Sequence, residues 1–526
     1  MSLVFEPAVP AAPPDRLRTD VAVFVGFVGR RMQRPLPPAL RAQLDAGGWV
    51  HGPWRRTPEQ VESLLNVPLA LDSWHLFDRF YAWDQRSLDA QAKRSCASYL
   101  GAAVRSFFAR GGKRAVIVRV GDPWPYLEAT TDRASHLAQR LDLLLPRTRP
   151  FEPRNPAAWQ GLHHLYGLQD DSLVLLPDLV DACAPLPPPP EPLQPLAPTA
   201  EGFGPCDVEA PVNVDEIPLH RIPAPRLDAA GYGDWWAACR AARDFLATQQ
   251  RASMLVAALP MPLPTTQSAG GAHAQADLLG YLQQAGVILS AVAEDNRAGR
   301  PAEALSQFAW PWLRTRAAQG DLPEGLEPAD GVLAGLVANG ALARGTFRSV
   351  AGDRSLPLLR DVGGGEPQPS WGLGDDSPAG LLAQRVCLFT PSAGGWMLQS
   401  DVTASAQDPW RFGGASRLIG AILRAARTAG DAAVFEPNGP PLWAQLRGTI
   451  EDLLTGFWQE GAFGGTTMAE AFEVRCDRST MTQADIDAGR LVVRVAVLPA
   501  MAIERITVVL KLAHAASVEA PVAETA

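Results

Sequence analysis

Residues 435–497 read FEPNGPPLWAQLRGTIEDLLTGFWQEGAFGGTTMAEAFEVRCDRSTMTQADIDAGRLVVRVAV. Phe435, Glu436, Pro437 and Asn438 predict an irregular turn, because proline fixes φ and asparagine favours turn conformations. Leu442, Leu446, Ile450, Leu453, Leu454 and Phe457 then recur at helical spacing around Trp443, which predicts an amphipathic helix. Gly461 and the pair Gly464 and Gly465 stop it, since glycine ends a helix without a Cβ penalty. Phe472, Val474 and Cys476 alternate up to Asp477 and predict a strand, with a turn over 479–482. Asp485, Ile486, Gly489 and Arg490 lead through Leu491 into Val493, Val495 and Val497, a second period-two alternation.

Outward from this α+β block, the earlier chain alternates helices with apolar strands. Strands are predicted at 20–29, 115–120, 173–176, 254–259 and 308–313, with Pro311 pushing the last toward a sheet edge. The glycines at 26 and 29 suggest a tight turn after the first. Helices are predicted at 96–108, closed by Gly111 and Gly112, and at 234–249 and 274–284, with a small-residue helix and then a turn over 330–347. Thr57 is placed to cap a short helix that starts at Pro58, and Phe77, Phe80 and Tyr81 read as loop. Past the boundary at Gly363, Gly364 and Gly365 come strands at 386–389 and 396–398 and a helix at 417–429. Such alternation marks an α/β domain with a largely parallel sheet.

The expected organisation is therefore multidomain, α/β and α+β. An extended arm spans 1–20, and a strand–helix–strand part spans 21–150. An α/β domain with a proline-rich loop at 185–228 covers 151–365. The C-terminal block covers 366–505, and a strand arm with a tail covers 506–526. Leu3, Val4 and Phe5 at one extreme, and Ile506, Val508, Leu510 and Leu512 at the other, are apolar strands set apart by proline or irregular sequence. Each is suited to adding to another sheet.

A net charge of −9 argues against a nucleic-acid coat, which needs a basic face. Neither a secretory signal nor a membrane span is visible. The six cysteines (96, 183, 206, 239, 387, 476) form no C-x-x-C pair and read as reduced, mostly buried residues. No Gly-x-Ser-x-Gly turn, His-x-x-x-His or zinc spacing occurs. The glycine pair before Lys113 lacks the rest of a phosphate loop. His163 and His164 point apart in regular structure, and the pairs Asp170/Asp171 and Asp375/Asp376 read as solvated turns. No catalytic, cofactor-binding or metal site is expected.

The ordered set of the Phe-Glu-Pro-Asn turn, the Trp443 helix, the glycine stop, Phe-x-Val-x-Cys-Asp and Asp-Ile-x-x-Gly-Arg-Leu closely resembles the C-terminal domain of contractile tail sheath proteins. These build the sheaths of phage tails, R-type bacteriocins and related injection systems. The helix at 96–108 with its glycine pair, and the small-residue helix followed by Arg344-Gly345, are similar to the same family. Before the 417–429 helix the family's Trp-Gly-x-Arg-Thr segment is replaced by Gly395-Trp396-Met397-Leu398-Gln399. The resemblance implies an inner domain, built from the N-terminal strand and the C-terminal block, with an inserted α/β middle domain of subtilisin-like fold. It implies a non-enzymatic subunit without cofactors. Hexameric rings of it would stack as a sleeve around an inner tube protein, between baseplate and terminal cap proteins, and contract to drive the tube through an envelope. Assembly would take place in the bacterial cytoplasm as part of a phage tail or tail-like particle, without nucleic-acid contact or membrane insertion. The alternatives are a non-polymerising baseplate or cap adaptor and, third, a hydrolase.

Overall fold

The run VAVFVGF forms strand β1 (Val21–Phe27), and every one of its residues is buried. A strand with no polar face needs cover on both sides. The computed structural model meets this by setting β1 inside an eight-stranded sheet. The structure describes residues 18–89, 94–146, 151–168, 170–187, 217–249, 252–263, 274–287, 302–315, 318, 320–352, 359–363, 382–392, 395–434 and 436–500.

The other strands are β2 (Leu69–Leu71), β3 (Arg114–Gly121), β4 (Leu173–Leu175), β5 (Met254–Ala258), β6 (Ser306–Trp310), β7 (Cys387–Ser392) and β8 (Gly395–Leu398). Their order is β8-β7-β6-β5-β4-β1-β3-β2. Neighbours from β7 to β3 run parallel, and antiparallel β8 and β2 close the edges. Chain order reverses at β1, which lies between β3 and β4, so the sheet is doubly wound. One continuous apolar core extends from Val21 to Ala404.

Helices α1 (Tyr99–Ala109), α2 (Thr130–Leu144), α3 (Ala229–Thr248) and α4 (Asp330–Arg344) belong to this body. The small residues of α4 have a packing reason. A Cβ at Gly331 would meet the Ala103 carbonyl oxygen at 2.5 Å, and one at Gly335 the Phe107 carbonyl oxygen at 2.7 Å. Helix α4 thus lies backbone to backbone on α1.

Helix α5 (Gly413–Ala432) leaves the body and leads to α6 (Pro440–Gln459), β9 (Phe472–Arg475), the short helix α7 (Gln483–Asp487) and β10 (Arg494–Val497). This block has its own small core of Leu418, Ile422, Ile450, Leu454, Ala462, Phe463, Ala471 and Val474.

Several expectations need correction. The first strand, at 21–27, lies at the centre of the large sheet and does not join the C-terminal block. The same sheet draws strands from the ranges 21–150, 151–365 and 366–505, so those divisions do not separate sheets. Gly26 is no turn residue: it lies within β1, and a Cβ there would stand 2.3 Å from an Asp178 carboxylate oxygen. Residues 77–80 are helical (Trp74–Phe80), started by the Ser73 hydroxyl accepting from the Leu76 amide. β6 is interior, not an edge. It ends at Trp310 because Pro311 has no N–H for the ladder, and Trp312–Thr315 pairs elsewhere. Thr57 caps its helix as expected, and Gln60 completes a reciprocal box with it.

Candidate functional site

The residues singled out at 436–490 come together as a scaffold of turns and caps. Trp443 is buried with Cys476 and Met481, ringed by Leu442, Ile486, Leu491 and Val493. Its indole N–H donates to Asn438 Oδ1 at 2.8 Å, which ties the turn to the helix it precedes. Asn438 Nδ2 reaches the Arg490 carbonyl at 3.5 Å. Thr482 and Asp485 form a capping box at α7, and Arg490 pairs with Asp485 at 2.9 Å. Gly489, at φ +69°, makes the turn between them. Asp477 Oδ1 accepts from the Ser479 amide at 2.7 Å. The carboxyls of Asp477 and Asp485 are held below their usual range by hydrogen bonds from Ser479 and Thr482 respectively. These groups shape the block; none faces a cavity with a nucleophile. Phe435, the two arms (Leu3, Val4, Phe5; Ile506, Val508, Leu510, Leu512) and Asp375/Asp376 lie outside the described residues.

β9 and β10 form a two-stranded antiparallel sheet with Phe472 opposite Val497 and Val474 opposite Val495. Among the described residues neither strand has a second ladder partner, so both outer edges present backbone groups. A lone hairpin is marginal in water, and open edges accept strands. Beyond β10, the Leu498 carbonyl accepts from Gly464 and the Ala500 amide donates to Ala462, both near 2.8–2.9 Å. Met468, Val492 and Leu498 are exposed nearby.

One buried ion pair fastens this block to the body. Arg417 of α5 forms a two-pronged contact with Asp401 at 2.9 and 2.7 Å, and reaches Gln307 of β6 at 3.2 Å. Asp401 also accepts from the Val350 amide and from Gln307. Burial alone would raise the Asp401 carboxyl, but Arg417 outweighs it and holds it low. At the same end of the sheet the N-terminal segment enters: Thr19, Ser172, Arg417 and Arg424 line one small cavity.

The opposite end, outside the carboxyl ends of β1 and β4, is where doubly wound sheets bind ligands. Here it is filled. Asp178 Oδ2 accepts from the Phe27 amide at 2.7 Å and Oδ1 from the Leu100 amide at 3.2 Å. Asp181 pairs with Arg86 at 2.7 Å, and the Glu327 carboxylate is held by Ser106 and Thr315. Burial pushes Asp178, Glu327 and Asp330 each up to about 7. Their oxygens are engaged by the fold's own donors, a structural use. Sequence reasoning missed this cluster because its members are scattered and share no spacing. It also misread Asp171, which is buried and accepts from Ser253.

His164 is buried, with ring nitrogens 2.9 Å from an Arg56 nitrogen and the Gly161 carbonyl oxygen. His163 packs on Phe151 and Phe245. Burial lowers the two to about 3 and about 4 respectively. Among the described residues no group of three or more His, Cys, Asp or Glu could hold a metal. No described helix is long and apolar enough to cross a membrane.

No family model and no curated protein matches the chain. Solved structures do. A chain of the anti-feeding prophage baseplate in its contracted state aligns at TM-score 0.55 and 17% identity, over 97% of each chain. A chain of the six-fold symmetrised baseplate of the same particle aligns at 0.51 and 17%, over 98% of this chain and 99% of that one. The contracted helical sheath of that particle scores 0.49 at 17% identity, too low to bear on the fold by itself. Aligned almost end to end with these baseplate chains, the protein shares their mixed α/β, multidomain fold.

Proposed function

We propose that this chain is a structural sheath subunit of a contractile injection particle. Its copies assemble as stacked hexameric rings around an inner tube, and the sleeve contracts to drive the tube through a target envelope. The observation that carries this reading is the end-to-end likeness to baseplate chains of such a particle, at TM-score 0.55. The open edges of the β9–β10 sheet support it. So does the entry of the N-terminal segment beside α5, the helix that leads to that sheet.

In this reading the eight-stranded body is the outer, subtilisin-like part, and the block from α5 onward is the inner part facing the tube. Leu3–Phe5 and Ile506–Leu512 are strands that add to the inner sheets of adjacent protomers, so rings slide without separating. Baseplate and cap proteins are the partners at the two ends, and the particle assembles in the bacterial cytoplasm. Stored energy is a packing difference between two lattices. The plugged crevice at Asp178 favours this role over a hydrolase.

Both baseplate likenesses also suit a second reading, a non-polymerising adaptor with the same fold. Negative-stain electron microscopy of the purified chain, with and without its tube protein, separates the two. Hollow sleeves are expected, and their loss on removal of residues 2–14 with folding intact. Persistent monomers in the presence of tube favour the adaptor, and sleeves formed by the truncation overturn the arm assignment.

A further inference from the structure

Helix α5 is sealed against the body along its first half and stands away from it along its second. In the first half, a Cβ at Gly414 would strike the Phe347 carbonyl, and one at Gly420 would stand 2.5 Å from the Ala252 carbonyl oxygen. Arg417 also donates to the Thr346 carbonyl there, at 3.2 Å. Past Ile422 no residue of α5 is buried, and a cleft of about 590 Å³ opens between helix and body. Arg424, Arg427 and Asp431, three and four positions apart and so on one helical face, form one side of it. Tyr166, Leu168 and Ala252 stand on the other. The Tyr166 ring is exposed yet held, 5.4 Å from Phe151 and 5.5 Å from Trp159.

We propose that residues 13–17 of this chain seat in the cleft, alongside the second half of α5. The described chain begins beside it. The Arg18 carbonyl accepts from the Ser172 hydroxyl at 3.5 Å, and Thr19 lines the small cavity that Arg417 and Arg424 share. Ala252 and Arg424 border both that cavity and the cleft. In the other direction along α5, toward Thr346 and Arg417, helix and body are closed on each other. Length agrees: residues 424–432 span about 12 Å of helix, and the four extended residues before Arg18 cover about the same. So does composition. Pro13-Pro14-Asp15-Arg16-Leu17 brings proline rings to the Tyr166 face, a carboxylate to the Arg424 and Arg427 side, a guanidinium to Asp431, and a leucine to Leu168 and Ala252. Seating there makes the N-terminal arm leave the protomer along α5, the helix that carries the Arg417–Asp401 joint. Under the sheath reading, a neighbour that holds Leu3–Phe5 would then pull on that joint; the seating itself is a property of the single chain and does not rest on that reading.

Hydrogen exchange read by mass spectrometry on the unassembled full chain tests this. Removing residues 2–17 is expected to speed exchange at 424–432 by about tenfold or more. Exchange in β5 and β6 should not change, which shows that folding is intact. Because that truncation ends close to β1, Asp15→Arg combined with Leu17→Asp is a second variant, expected to reproduce the effect in a chain of full length. A cysteine pair, Asp15→Cys with Thr428→Cys, is expected to close a disulfide within the monomer on mild oxidation; the described native cysteines are buried. Unchanged exchange at 424–432 in both variants overturns the proposal. So does the absence of that disulfide, or its formation only between two copies, which makes a second chain the occupant. The sleeve assay above reads assembly separately, so failure of one does not decide the other.

Discussion

The α/β body and the C-terminal block solve the burial problem differently. In the body, β1 and β5 are buried along their whole length, and a single core reaches from Val21 to Ala404. In the block, β10 alternates exposed and half-buried residues, and the main core holds eight side chains. Burial scales with size, so a small unit with one short hairpin is poorly stabilised alone. The body builds an eight-stranded sheet within one chain; among the described residues the block's sheet stops at two strands.

The strongest way to break the contrast is at the joint. Arg417→Met leaves Asp401 ionised and unpaired in the interior, and loss of one partner of a buried pair costs about 3–5 kcal/mol. Urea unfolding should show that loss, together with separation of block and body into two transitions. Next, Gly331→Val drives a side chain into the α1 backbone and should cost on the order of 3 kcal/mol by overpacking. That effect should fall on the body, with exchange in β9 and β10 unchanged.

Proton linkage separates the two regions further. Asp178, Glu327 and Asp330 each have a folded pKa raised to about 7. The folded body therefore binds more protons than the unfolded chain between the ordinary carboxylate range and 7. Stability conferred by neutral carboxyls is present at low pH and is lost as pH rises through that window. Arg86 and Arg110 moderate it by drawing on the ionised forms of Asp178 and Glu327. Asp401 acts with the opposite sign: its lowered pKa gives stability above the unfolded value that is lost on acidification. Thermal unfolding from pH 4 to pH 8 should decline across the upper part of this range, and a flat profile would contradict the buried cluster. The smallest effect is local. Trp443→Phe removes the bond to Asn438, worth about 1 kcal/mol. It should raise exchange at 436–500 and leave the body unchanged.

Much of the local architecture was legible in the residues. Thr57 before Pro58 announces a helix N-cap, and the spacing from Leu442 to Phe457 announces α6. Val493, Val495 and Val497 likewise announce a strand. These follow from contacts within a few positions, where φ/ψ preference and periodicity act directly. The tertiary structure alone decided that β1 is central, that β6 is interior, and that Gly26 exists to admit Asp178. It also decided that Asp171 is buried and that Arg417 closes on Asp401. Each of these depends on which distant strands become neighbours, a choice set by collective burial and loop closure, not by any short stretch of the chain.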